Sequence, residues 1–302
     1  MDKKWDVLGI GAAAIDDLLF VADYPKEDTK MKVERVERHG GGLVATALVA
    51  AHRLGLRAAF AGVLGHDDES KWITADLRRE GVDTTPVTVL PDTFPIHAYI
   101  IVDSQHHSRT ILYNQDSRRL TRDDLPDEAT IRATGILMID DTVNGDITQI
   151  AGIAQQFGIP VIADFERSSS LAQATEIDHL IVPEHYAYRA TGVNDPLEAA
   201  KLLWHEQRHI VVLTSGADGC WYYVGGEGIK HQSAFKVKVV DTTGCGDVFH
   251  GAYAAALHCG WDVDRRIKFA SAAAALSATH AGGRQGIPDK TQVETLMRTR
   301  TE

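Results

Sequence analysis

The chain has 302 residues, 44% of them hydrophobic and 24% charged, a balance that supplies a large buried core and sets disorder aside. Its formal net charge of −11 disfavours nucleic acid and anionic membrane surfaces as partners, since phosphates are repelled and the short basic runs RVERH and DRRIK are diluted by acids. Cys220, Cys245 and Cys259 have neither CxxC nor CxH spacing, so a disulfide framework and a zinc site are both disfavoured and the thiols read as reduced filler.

The opening MDKKWDVLGI holds two lysines but no apolar segment of signal length, and no window approaches about 18 uninterrupted apolar residues; a cytoplasmic protein is expected. WDVLGIG predicts the first buried strand. The adjoining IDDLLFVADYPKEDTKMKVERVERHG alternates apolar and polar residues, as a half-buried sheet does. LVATALVAAHRLG then carries helical spacing, AAFAGVLG is a strand, and ESKWITADLRREG is again helical. FPIHAYIIVDSQHHSRTILYN has two strand-like arms around a polar tip, the pattern of a hairpin. Further on, the strands GILMID, PVIADF, HLIVP and HIVVLTSG alternate with the helices NGDITQIAGIAQQFG and DPLEAAKLLWHEQ. Near-continuous Val, Ile and Leu without alternation suits parallel strands covered on both faces, so the order predicts a doubly wound α/β fold. The two alternating stretches, about 15–39 and 94–114, predict a small β lid on a single domain spanning 1–302. Open edges and an apolar face on that lid predict a homodimer paired lid to lid.

Chemistry concentrates in VVDTTGCGDVFHGAYAAAL, residues 239–257. A strand ending at Val240, a tight turn and a helix beginning near Asp247 would set the amides of Gly244, Cys245 and Gly246 at a helix N-terminus, where free donors and the macrodipole favour an anion. Asp247 in the first turn would then accept a proton from an incoming hydroxyl, which is the layout for phosphoryl transfer.

DTTGCGD resembles the DTxGxGD signature of the ribokinase-like (PfkB-type) sugar kinases. GGGLVATALVAAHRLG is similar to that family's early glycine motif, VLGIGAAAID to its first strand with a sugar-binding aspartate, and TSGADG to its nucleotide loop. The resemblance implies an ATP-dependent kinase with a ribokinase-like sheet and β lid, using ATP and Mg²⁺. It implies Asp247 as catalytic base and Gly244, Cys245 and Gly246 as the anion hole. Asp16, rather than Asp17, would hold sugar hydroxyls, with Gly41, Gly42 and Thr46 along the sugar face. Thr214, Gly216 and Gly219 would line ATP. Asp241 and Thr243 fall where the family often holds a monovalent cation such as K⁺.

Where many relatives read GGNAxN this chain has GGLVAT, so Leu43 and Thr46 replace two amides. The GGxxAT form and GGRQGIPD look most like sulfofructose kinases, and DYPKEDTK and HSRTI like ketohexokinase, which implies a ketohexose or modified ketose phosphorylated on a primary hydroxyl. Asp140 and Asp141 in MIDDTVNGD stand where an anionic sugar would call for arginine. Glu184 and Ala187 occupy the eroded NxxE motif, leaving magnesium to water and to Asp164, Glu166 and Arg167. Arg109 and Asn114 are expected on the lid's substrate face, Arg109 to neutralise the phosphoryl group and Asn114 to bind a hydroxyl. His97, His106 and His107 read as exposed polar residues rather than metal ligands. The GIGAAA segment fits a loose dinucleotide pattern, but IDDLLFVADYP after it is too short and strand-like for a crossover helix. A ribose, nucleoside or sugar-acid kinase of the same fold, or a sugar- or nucleotide-sensing module without chemistry, are the alternatives.

Overall fold

The computed structural model describes residues 3–103, 105, 108–114, 122–141, 147–167 and 173–298. The chain runs through β1 (Trp5–Ile10), β2 (Ala14–Val21), β3 (Arg35–Gly41), α1 (Leu43–Arg53), β4 (Ala58–Phe60), β5 (Val63–Leu64), α2 (Asp68–Arg79), β6 (Thr88–Val89), β7 (Ile96–Asp103) and β8 (Ser108–Asn114). It continues with α3 (Glu128–Arg132), β9 (Thr134–Asp140), α4 (Ile147–Gln156), β10 (Val161–Asp164), β11 (His179–Pro183), α5 (Glu184–Thr191), α6 (Pro196–Leu203), β12 (Ile210–Thr214), β13 (Cys220–Val224), β14 (Gly228–Gln232), α7 (Cys245–His258), α8 (Val263–Ser277) and α9 (Lys290–Arg298).

The apolar runs assemble into an eight-stranded sheet ordered β14-β13-β12-β11-β10-β9-β1-β4, parallel from β4 to β12 and closed by an antiparallel β13–β14 hairpin. Alternation explains why these strands read as unbroken apolar runs. Val7 of β1 packs into one core with α1, α7 and α8, while Leu8 and Ile10 pack into a second core with α4, α5 and α6. Both faces are therefore buried, as a doubly wound fold requires. Among the described residues, no helix is long and apolar enough to cross a membrane.

The two alternating stretches form a separate four-stranded sheet, ordered β3-β2-β7-β8. Leu18, Phe20, Ala98 and Ile100 make its own small apolar cluster. Two expectations are corrected here. The β-branched run before DTTGCGD is not a strand: β14 ends at Gln232 and residues 233–244 are irregular, with Val239 and Val240 exposed. His97 is not exposed. It is buried in β7, with Nε2 2.8 Å from Asp17 Oδ2 and Nδ1 2.7 Å from Glu69 Oε1 of α2, so it ties the lid to the body. His106, His107 and much of the MIDDTVNGD segment lie outside the described residues.

Candidate functional site

The C-terminal ends of the parallel strands, the start of α7 and the lid sheet converge. Helix α7 begins at Cys245, two residues before Asp247, with Gly244 as its N-cap at φ 73°. Only glycine suits that cap: besides the left-handed backbone, a Cβ there would lie 2.7 Å from the Gly283 carbonyl oxygen. The turn therefore presents Gly244, Cys245 and Gly246 together at the helix end, although the Cys245 amide also reaches the Thr242 carbonyl at 3.3 Å. Burial pushes the Cys245 thiol up to about 11, so it stays protonated near neutral pH.

Asp247 lies in the first turn of α7 and is half-buried. Among the described residues its carboxylate has no hydrogen-bond partner. Burial holds it well above the ordinary carboxylate value, the nearby Asp164 and Glu166 push the same way, and Arg284 pulls against them. Asp16, on β2, is likewise half-buried and without a hydrogen-bond partner among the described residues. Burial raises it, against the attraction of Arg284 and His39. Gly41 faces it across the strand pair so closely that a Cβ would collide with the Asp16 carboxylate, and Gly42 caps α1 beside it.

Thr214, Gly216 and Gly219 line a cavity of about 380 Å³ whose other wall holds Phe235, Cys245 and Gly246. Glu184 starts α5 at the end of β11, where the preceding Pro183 pairs with Thr214 of β12; its Oε2 accepts from Tyr188 Oη at 3.4 Å. At the turn, Asp241 Oδ1 accepts from the Thr243 amide at 2.9 Å, from its hydroxyl at 2.7 Å and from Arg109 Nη1 at 2.9 Å. Oδ2 accepts from the Gly282 amide at 2.9 Å. Burial alone would raise Asp241, but these donors draw it below its ordinary value. Arg109 also donates to the Thr243 hydroxyl.

Three expected contacts are corrected. Arg109 and Asn114 do not share a face: they are an odd number of residues apart on β8, and successive side chains alternate. Arg109 pairs with Val102 and lies on the face of Asp16, whereas Asn114 pairs with His97 on the face of Asp17. Thr46 does not front an open cavity, being 1% exposed with its hydroxyl accepting from Arg284 Nε at 3.3 Å. Asp140 is fully buried, and its Oδ2 accepts from the Ala12 amide at 2.7 Å. Asp141 Oδ2 accepts from the amides of Glu166 and Arg167 at 3.2 and 2.6 Å, so both acids brace backbone at the strand ends.

Two side chains at the site escaped the sequence reading. His39 stands across the strand pair from Asp16, with Nδ1 buried and unpartnered among the described residues. Arg284 is 4% exposed and reaches Gly41, Thr46 and Asp76. The signal for it was a single arginine between glycines in GGRQG.

A doubly wound sheet with a β lid, an anion-favouring helix start and two carboxylates unpartnered among the described residues describes the ribokinase-like class of phosphotransferases. The model for pfkB family carbohydrate kinases matches residues 6–290, and the chain belongs to that family. It is 27% identical to a ribokinase of Haemophilus influenzae, over 95% of this chain and 96% of the relative. It is 22% identical to a 5-dehydro-2-deoxygluconokinase of Shouchella clausii, over 98% of this chain and 96% of the relative. The solved Arabidopsis thaliana ribokinase complexed with ribose and ATP superimposes with a TM-score of 0.84 at 25% identity, covering 99% of each chain.

Proposed function

We propose that this carbohydrate kinase transfers the γ-phosphoryl group of ATP to a primary hydroxyl of a ketohexose or modified ketose, with Asp247 as general base. The observation that carries the reading is Asp247 itself, a half-buried carboxylate with no hydrogen-bond partner among the described residues, set in the first turn of a helix whose start favours anions. Asp16, the second such carboxylate, takes the sugar hydroxyls beside Gly41 and Gly42, with His39 across the strand. In the step, Asp247 accepts the hydroxyl proton, the sugar oxygen forms the bond to the γ-phosphorus, and the bond to the bridging oxygen breaks to release ADP.

ATP belongs in the cavity of Thr214, Gly216 and Gly219, which lead to Gly244 and Gly246 at the helix start. Magnesium arrives with ATP and neutralises its phosphates; Glu184, Asp164 and Glu166 are the hard oxygen donors available to it and its waters. A monovalent cation such as K⁺ fits the loop beside Thr243 only on the Oδ2 side of Asp241, because Oδ1 is taken up by Thr243 and Arg109. Pairing of two lids in a homodimer is supported by Val36, Tyr99 and Leu112, all exposed on one lid face.

A sugar acid is the second reading. Its support is Arg109, a cation on the same lid face as Asp16. The test is ATP turnover over ketoses, aldoses, sugar acids and nucleosides with wild type and Asp247→Asn. Turnover on a sugar that the variant loses supports the reading. Sugar binding with no ATP consumption across the panel marks a sensing module instead.

A further inference from the structure

The loop 282–286 passes between the two ends of the site. On one side it packs against the anion turn, since the Gly283 carbonyl leaves no room for a Cβ on Gly244 and the Gly282 amide holds Asp241. On the other side its Arg284 is almost completely buried and bonds three different elements. Nη2 donates to the Gly41 carbonyl at the end of β3 at 2.7 Å, Nη1 to Asp76 Oδ2 of α2 at 2.7 Å, and Nε to Thr46 Oγ1 of α1 at 3.3 Å. Gly41 is the residue that packs on the Asp16 carboxylate.

A charge pair alone does not account for this arrangement. Asp76 would satisfy a buried cation, and a buried pair replaced by apolar groups often leaves stability unchanged. The planar guanidinium fork instead fixes three directions at once, which a lysine ammonium cannot do. Its charge also attracts both Asp16 and Asp247. The Leu43–Thr46 departure from the family amides has its counterpart here: the hydroxyl of Thr46 is an acceptor for Arg284, where an amide would bring its own donors.

We propose that Arg284 is a positioning residue for phosphoryl transfer, holding the sugar wall at Gly41, with the buried Thr46 behind it, in register with the anion turn at Gly244, so that the hydroxyl bound by Asp16 meets Asp247. This rests on the roles proposed above for Asp16 and Asp247. Arg284 acts through the backbone it holds, with its side chain closed off from the cavity by burial.

The test compares wild type, Arg284→Lys, and the paired change Arg284→Met with Asp76→Leu, which removes both charges together. Each is assayed for Tm, for kcat and KM, and for the pH profile of kcat/KM. The acceptor is whichever of D-fructose, D-ribose and 5-dehydro-2-deoxygluconate the wild type turns over fastest. The expected result is a paired variant that melts close to wild type but loses roughly 10²-fold or more in kcat/KM for the sugar, as misplacement of reacting groups by an ångström does. Its KM for ATP stays within about twofold and the acid limb of its pH profile moves upward. Wild-type kcat/KM with an unmoved acid limb in the paired variant would overturn the proposal, leaving Arg284 a partner of Asp76 only. An equal loss toward ATP would overturn it as well. Should the paired variant fail to fold, Arg284→Lys decides: a folded protein at least ~10-fold slower supports the fork, and an unchanged one overturns it. Asp247→Asn in the same assay keeps the two ideas apart, since unaltered turnover there removes the base assignment whatever Arg284 does.

Discussion

Arg109 Nη1 lies 2.9 Å from Asp241 Oδ1, so a lid side chain and the first residue of the DTTGCGD turn are joined across the site. A second contact runs parallel to it, with the Arg167 guanidinium 5.5 Å from the ring centroid of Tyr113 on the same lid face. Partly exposed pairs of this kind contribute only about 0.2–1 kcal/mol, too little to set the stability of the fold. Arg109→Gln should therefore leave Tm nearly unchanged while lowering kcat/KM for the sugar. Potassium should raise the wild-type rate, and raise it more in Arg109→Gln, where the competing guanidinium charge beside Asp241 is gone while Oδ1 still accepts from Thr243. Equal rates in potassium and a bulky organic cation for both proteins would remove the cation from the reading.

Asp247→Asn keeps the side-chain size and removes the proton acceptor. Turnover is expected to fall by ~10²–10⁴ with sugar binding little changed, measured by steady-state kinetics and calorimetry. The same variant carries a stability prediction. Because the folded state holds Asp247 well above its ordinary value, folding favours the protonated form, and stability falls as pH rises from the ordinary value through the raised one. Asp247→Asn should thus melt higher than wild type at neutral pH and match it in acid, where both side chains are neutral.

The pH profile of kcat/KM should show its acid limb above the usual carboxylate range, since the base works only when ionised. Removing a neighbouring negative charge with Glu166→Gln should shift that limb toward acid, while weakening the attraction of Arg284 should shift it the other way.

Strand parity gives a sharper check of the lid. Asn114→Ala should leave sugar KM unaltered, because Asn114 faces away from Asp16. Leu43→Asn should move substrate preference toward unmodified sugars by adding donors to the half-exposed start of α1. Thr46→Asn should instead destabilise the protein by about 1–3 kcal/mol, because the larger amide meets the buried Arg284.

The sheet was legible because six parallel strands buried on both faces leave unbroken apolar runs, and α1, α2, α4 and α6 keep clear helical spacing. The turn around Gly244 was legible because glycine, acid and helix start stand together in the chain. What the sequence hid was set by distance or by parity. Arg284 meets Gly41, Thr46 and Asp76 only after the chain has folded back, with more than two hundred residues between partners. Val237–Val240 reads as a strand by residue type, yet no strand of the described structure forms a ladder with it: the Val240 amide donates to the Ala278 carbonyl after α8, and Val239 lines the cavity. Arg109 and Asn114 both stand on the predicted arm, but register, which no local pattern supplied, decided their sides.

The two sheets treat their edges differently. In the body one edge strand, β4, has three residues, and the other, β14, carries Lys230 paired with Glu227 and Asp264, so neither offers a long bare template for another strand. Both lid edges are seven residues long, but β3 carries Arg35, Glu37 and Arg38, whereas β8 presents Ile111, Leu112 and Tyr113 to solvent. Self-association that begins from an unpaired lid therefore has its opening at β8, and Leu112→Lys, which also charges the face proposed to pair in the homodimer, should raise the solubility limit and weaken that pairing while leaving the buried body of the protein as it is.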